Sequence, residues 1–449
     1  MSACCTAIAP WPWSSESARR TLRRVVVVHR HGARLPTKPP PPLDNSFPHD
    51  PGFWRVAAGN LSPQGAEQLR QLGLLFHKRY IEGAGLLHPL KTSATGAACR
   101  DVCDAGVGVS AYSSSTQRTI QSAWSFVGGL LPSSPVQFGD LGDASLALRS
   151  ARARAVPVFV ESGRRLFHGW DEVKDEYAAW LDQNQAQSVR LREFAVDPEI
   201  LALLDRLYSL THHAKLAPHR PTLRRLLHAR RLDTLALIGE VHSIATFATP
   251  GAAEGVDAAR GLCERERSLL ARISREAKRC WFQDASVISG GKAGGPKVAR
   301  SFGRHAARHL GSFVAALLSG AGWHAERQGA PSSPQVPRLV ALSCHDRTLA
   351  ALASFLDVDL EKIGFASHFV FELHDQGSGQ FQICAFYNGD PFQGGHWGSP
   401  RRLPLGGSDE VKMWDALPEG SVSLDDFAAF CRQAASPPDI PGRLPAGVP

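Results

Sequence analysis

Three short stretches of this 449-residue chain hold side chains suited to grip and attack a phosphate. They are Arg30-His31-Gly32-Ala33-Arg34-Leu35-Pro36, Ser113-Ser114-Ser115-Thr116-Gln117-Arg118 and Ser343-Cys344-His345-Asp346. Guanidinium forks donate paired hydrogen bonds to phosphate oxygens, so Arg30, Arg34 and Arg118 together suit a phosphate clamp. Their charge also stabilises the equatorial oxygens of a phosphoryl-transfer transition state. A histidine among permanent positive charges is expected to stay neutral near pH 7. A neutral imidazole has a lone pair that can attack phosphorus, which makes His31 the candidate nucleophile. Gly32 has no side chain and lets backbone approach a ligand closely. Asp346 is the carboxylate of the three stretches and the candidate general acid, later the base that activates water. His345 adds a second imidazole to bind the phosphate. The scheme calls for no metal and no cofactor.

A blander reading stands beside each residue. Arg30 and Arg34 could form surface ion pairs, and His31 alone would read as a satisfied core histidine. Asp346 precedes Arg347-Thr348-Leu349 and could be only a helix cap. A helix N-terminus also favours the ionised carboxylate, which opposes an acid role at neutral pH and fits a reaction running best in acid. The three stretches taken together favour the catalytic reading.

Convergence requires that each stretch follow a strand of one sheet. Val25-Val26-Val27-Val28 is a β-branched run suited to a parallel strand buried on both faces. Val107 to Tyr112 and Leu339-Val340-Ala341-Leu342 read as two more strands. In an open α/β sheet, ligands bind beyond the carboxyl ends of the strands, where all three stretches begin. Ser62-Pro63 opens a helix with Leu69, Leu72, Phe76 and Tyr80 on one face. Helices are also expected from Thr116, over Phe302 to Leu318, and through Leu349, Leu352, Ala353 and Leu356. Phe369 to Leu373 and Gln382 to Phe386 look like a strand pair.

Length and composition fit two domains or one core with a large insertion. Residues 1–20 are expected to be a flexible N-terminal segment, 21–140 and 300–435 an α/β core, 141–299 a mainly helical insertion, and 436–449 a Pro-rich tail. The net charge of +8 suits anionic ligands without choosing among them. No interleaved aromatic and basic pattern supports nucleic-acid binding, and a small phosphorylated substrate is the expected partner. No apolar run of about 18 residues is present, so no transmembrane helix is expected. Met1 to Arg24 is a poor secretory signal, and nine cysteines without a regular framework read as mostly free thiols. Both point to a cytoplasmic location. Arg19, Arg20, Arg23 and Arg24 faintly resemble a transit peptide, and Cys4 and Cys5 are acylation candidates. Nothing in the sequence fixes an oligomeric state.

At these residues the chain resembles the histidine acid phosphatase family, branch 2 of the histidine phosphatase superfamily. Arg30 to Pro36 matches its arginine-histidine-glycine-any-arginine-any-proline loop, and His345-Asp346 matches its distant histidine-aspartate pair. Arg118 looks like the family's third phosphate-binding arginine. Leu61 to Gly65, Leu166 to Trp170, Ala366 to His368 and Leu424 to Phe427 are similar to further family segments. The resemblance implies a phosphoglycerate-mutase-like α/β core with a mostly parallel doubly wound sheet and an inserted, mainly helical domain. It implies a metal-independent acid phosphatase that passes phosphate through His31, with Asp346 as proton donor. Thr37-Lys38 extends the first loop as in phytase-like members, where that pair contacts substrate, so both join the substrate-binding candidates. Arg347 stands where the family usually has a small polar residue; its added charge is expected either to favour polyanionic esters or to depress the pKa of Asp346. An inositol phosphate phosphatase, a phosphomutase-like transferase and a weakly active phospholigand-binding protein are the alternatives.

Overall fold

A computed structural model of the chain describes residues 21–35, 51–87, 108–140, 155–163, 165–184, 298–320, 336–358, 363–389 and 421–433, with shorter pieces elsewhere. It divides into two units. The first is Met1–Gly32, Pro63–Gly169 and Ala307–Ser436, and the second is Ala33–Ser62, Trp170–Ala306 and Pro437–Pro449. The N-terminal segment 1–20 and the tail 436–449 lie outside the described residues.

The first unit is built on one mixed sheet. Its strands are Leu22–Arg30 (β1), Val109–Ser114 (β2), Val136–Asp140 (β3), Val156–Glu161 (β4), Leu339–Cys344 (β5), His368–Asp375 (β6), Phe381–Asn388 (β7), Arg401–Arg402 (β8) and Ser421–Ser423 (β9). The order is β8-β7-β6-β1-β5-β2-β4-β3, with β9 also paired to β7. From β1 to β3 every pairing is parallel. From β1 to β8 every pairing is antiparallel. Val25 to Val28 are all essentially inaccessible, as a strand covered on both faces requires. Residues 369–373 and 382–386 form the expected antiparallel pair.

Among the described residues, the sheet is accompanied by helices Pro63–Phe76 (α1), Gln117–Leu130 (α2), Val298–Ser319 (α3), which belongs to this unit from Ala307 onward, Asp346–Phe355 (α4) and Leu424–Gln433 (α5). Leu69, Leu72 and Phe76 of α1 join Phe126, Val127 and Leu130 of α2 in a core with Val25 and Val27. Burial of each such side chain contributes about 1.5–3 kcal/mol. The exposed Glu67–Arg70 pair on α1 adds at most about 1 kcal/mol, so the apolar face decides where the helix lies. The two helices touch backbone to backbone. A Cβ on Gly73 would lie 2.1 Å from the Phe126 carbonyl oxygen, and one on Gly129 would lie 1.9 Å from that of Arg70. The helical face expected to run to Tyr80 changes pitch first: His77–Gly83 is a π-helical turn that still buries Tyr80. A second packed group joins α3, α4 and α5. Phe355 meets Phe430 edge-on at 5.1 Å, and Cys431 donates to the Gly311 carbonyl.

Strand β4 lies inside the stretch expected to be helical. Val156, Val158 and Val160 are β-branched, and the strand pairs with both β2 and β3. Of the second unit, Arg34 bridges to Leu61, helix Pro51–Ala57 lies between those two residues in sequence, and helix Trp170–Asn184 contributes Tyr177, 5.1 Å from Phe302. Among the described residues no helix is long and apolar enough to cross a membrane.

Candidate active site

Parallel register places three of the expected stretches side by side. Arg30 of β1 pairs with Cys344 of β5, and Ser343 of β5 pairs with Ser113 of β2. The residues just beyond are therefore His31, His345 and the Ser115–Arg118 turn. Thr116 caps α2, so Arg118 stands in its first turn. His345 caps α4, and Asp346 is the first residue of that helix rather than its cap.

His31 is 2 % exposed and pinned on both sides. Its N–H donates to the Cys344 carbonyl at 3.0 Å, and its carbonyl accepts from the Ala366 N–H at 3.2 Å. Its Nδ1 lies 2.8 Å from the Gly32 carbonyl oxygen. A carbonyl only accepts, so Nδ1 carries a proton and the neutral ring keeps its lone pair on Nε2. Gly32 donates its N–H to Ser122 Oγ at 3.1 Å and packs against Gly65 of α1.

Arg30 is almost fully buried. Nη1 donates to the Ile363 carbonyl at 2.9 Å, and Nη2 lies 3.3 Å from Asp346 Oδ2. Its guanidinium lies 4.3 Å from the Phe365 ring centroid, a ring that is also 5.8 Å from that of His31. The other Asp346 oxygen accepts the Arg347 N–H at 2.9 Å. Arg347 itself is exposed.

His345 lies 5.7 Å from His31, ring to ring. Arg118 Nη2 approaches its Nδ1 at 3.4 Å. A guanidinium only donates, so Nε2 bears the proton and donates to Ser114 Oγ at 2.9 Å. Burial, then the charge of Arg118 and the nearby His168, hold the His345 imidazole well below its ordinary pKa, and it is neutral. Ser114 in turn shares hydrogen bonds with Thr119 at 2.7 Å and Thr116 at 3.3 Å. Burial, with Arg30 as a like-charged neighbour, lowers the Arg118 pKa, and Asp346 opposes this.

The structure thus brings Arg30, His31, Arg118, His345 and Asp346 together in the first unit. Arg34 falls in the second unit, where its Nη1 donates to the Leu35 carbonyl at 3.0 Å. Thr37 and Lys38 lie outside the described residues. Sequence reasoning missed Phe365, and it quoted Ser114 and His168 within their stretches without giving either a role of its own. The His168 ring lies 4.9 Å from that of His345. Its available signal was the β-branched run ending in the carboxylate of Glu161, a fourth strand end. Chemically, the cluster offers an imidazole with its lone pair on Nε2, two guanidinium groups to balance a phosphate dianion, and a carboxyl group beside them.

Residues 21–187 match the family model described as histidine phosphatase superfamily (branch 2). Lysosomal acid phosphatase of Homo sapiens is 31% identical over 113 residues, 24% of this chain and 25% of that protein; the Pongo abelii protein matches equally. The match therefore spans about a quarter of the length of these curated relatives. Among solved structures, Hafnia alvei phytase in complex with tartrate aligns with a TM-score of 0.58 at 15% identity, covering 93% of this chain and 98% of that one. Klebsiella sp ASR1 phytase aligns with a TM-score of 0.55 at 14% identity, covering 95% and 99%. At such identities these likenesses concern the fold alone, which is α/β as expected from the sequence.

Proposed function

We propose, from the premise that residues 21–187 form a branch 2 histidine phosphatase region, that this chain is a phosphatase hydrolysing phosphate monoesters through a phosphohistidine on His31. The carrying observation is the Nδ1–H bond of His31 to the Gly32 carbonyl, which leaves Nε2 as the attacking nitrogen. Arg30 and Arg118 balance the phosphate charge, and His345, whose Nδ1 faces Arg118, holds that guanidinium in place beside the phosphate; Arg34 is carried as a further phosphate-binding candidate on its motif. Nε2 bonds to phosphorus as the ester P–O bond breaks, and protonated Asp346 gives its proton to the departing alkoxide. Water then attacks the phosphohistidine, Asp346 takes the proton, and the P–N bond breaks to free phosphate. The pairing of Arg30 with Asp346 favours the carboxylate and opposes this acid role. A phosphate that draws Arg30 to itself relieves the opposition, and activity is expected to be highest in acid. Thr37 and Lys38 stay substrate-binding candidates on their resemblance to phytase-like members.

The test is rapid quenching with a labelled phosphate ester. The parent protein should trap an acid-labile phosphoryl group on His31. The His31→Ala variant should stay folded and neither trap label nor turn over p-nitrophenyl phosphate. Asp346→Asn should lose about 10²–10⁴-fold on sugar phosphates, whose alkoxides leave poorly, and less on p-nitrophenyl phosphate. Parental turnover by His31→Ala would remove the nucleophile from this scheme.

A further inference from the structure

The carboxyl ends of β1, β5, β2 and β4 lie in one parallel row. The first three deliver Arg30-His31, His345-Asp346 and Ser114 to Arg118. The fourth ends in Glu161, which is only 4% exposed. A carboxylate so far from water is unfavourable unless hydrogen bonds replace its hydration. Here one oxygen accepts the Leu166 N–H at close range and the other accepts the Phe167 N–H at 3.2 Å. Burial pushes the Glu161 carboxyl pKa up, and these bonds oppose that. Glu161 therefore ties Leu166 and Phe167 back onto the end of β4. From the other side Thr348 of α4, two residues past Asp346, donates to the Phe167 carbonyl at 2.6 Å. Leu166 and Phe167 are buried, and the next residue, His168, is half-buried with its ring 4.9 Å from that of His345.

We propose that His168 is a fourth anion-binding side chain of this site, donating a ring N–H to phosphate beside Arg118, and that Glu161 is the positioning residue that delivers it. The proposal rests on the phosphate-site reading above and extends it to a fourth loop. A loop staple alone needs Glu161 and the backbone of 166 and 167; it needs no imidazole at 168. The tie at Thr348 links the same loop to the helix that begins at Asp346, so loop and acid are fixed to one element.

Titration of the full-length protein with inorganic phosphate tests this, with p-nitrophenyl phosphate kinetics alongside. His168→Ala should weaken phosphate binding about ten-fold and raise KM, with the unfolding midpoint unchanged. His168→Asn, which retains a donor, should recover part of that loss. Glu161→Gln should act in the same direction, and the double variant should bind no worse than the weaker single one, because both remove the same contact. Phosphate binding by His168→Ala as tight as the parent's overturns the proposal, and this arm does not depend on Glu161→Gln folding. Independent, multiplying effects of the two substitutions overturn the positioning role. A parent that binds phosphate but hydrolyses no ester refutes the phosphatase reading while leaving His168 in place. A parent that binds no phosphate refutes the anion site itself.

Discussion

A methyl group on Gly32 would stand 2.1 Å from the Gly65 carbonyl oxygen in the first turn of α1. That contact is between two backbones, so neither side can yield by turning a side chain. Gly32→Ala must push α1 away from the loop that holds His31, whose own Nδ1 depends on the Gly32 carbonyl. Overpacking of this kind destabilises by about 1–3 kcal/mol. The expected outcome is that loss of stability together with a fall in kcat larger than the change in KM, read by urea unfolding and steady-state kinetics; unchanged kcat would show that the loop absorbs the methyl. Arg30, His31, Arg118, His345 and Asp346 were legible because each lies at the end of an apolar run, and strand register does the rest. His168 was not. Its place depends on two backbone N–H groups of Leu166 and Phe167 reaching Glu161, and no spacing of residue types announces such a bond.

At the scale of elements, β6 shows how an apolar strand tolerates a charge. Glu372 is buried between Phe371 and Leu373, opposite Val25 of β1. Its carboxylate accepts from Arg79 at 2.6 Å and Tyr80 at 2.7 Å, both in the π-helical turn, and lies 3.1 Å from His374 Nε2. Burial alone would raise its pKa, but the His374 hydrogen bond and the Arg79 charge overcome that and hold it at about 2. A carboxyl held below its ordinary 4.5 contributes stability that is complete above 4.5 and is lost as pH falls toward 2. The shift corresponds to about 3 kcal/mol. Glu372→Gln should cost about 3–5 kcal/mol near neutrality, because Arg79 loses its partner, and should flatten the decline from about pH 4.5 toward pH 2. Denaturant curves at several pH values check both; an equal decline in parent and variant would assign the acid sensitivity elsewhere. The valine run and the strand pair were readable as elements because their apolar runs are continuous. The π-helical turn was not, because a widened turn leaves Tyr80 buried and keeps the sequence looking helical. Strand β4 was hidden by the arginine- and alanine-rich stretch before it.

For the molecule as a whole, His29 and His368 face one another across β1 and β6, both shut from water. The His29 ring stacks on Phe126, and that of His368 meets Phe76 edge-on. Burial lowers their pKa values to about 3 and about 4. The unfolded chain takes up these protons near 6.5 and the folded chain does not. Their penalty is absent above 6.5 and grows as pH falls toward 4 and 3. At about pH 5 each histidine should subtract about 2 kcal/mol from the stability seen near pH 7.5. Unfolding free energies at the two pH values check this, and a flat profile would mean the buried rings accept protons in place. Activity that rises in acid would then meet a falling stability, giving a bounded optimum.

Strand β6 runs opposite to β1, so His368 lies beside the His31 end of the sheet, where the phosphate site is proposed, and Glu372 about 13 Å further along. The sheet thereby has a reacting tip and an anchoring root. Substitutions that toughen the root can be selected or engineered without touching the tip, which makes the Arg79–Tyr80–Glu372–His374 knot the natural place to harden this protein against acid while leaving its chemistry alone.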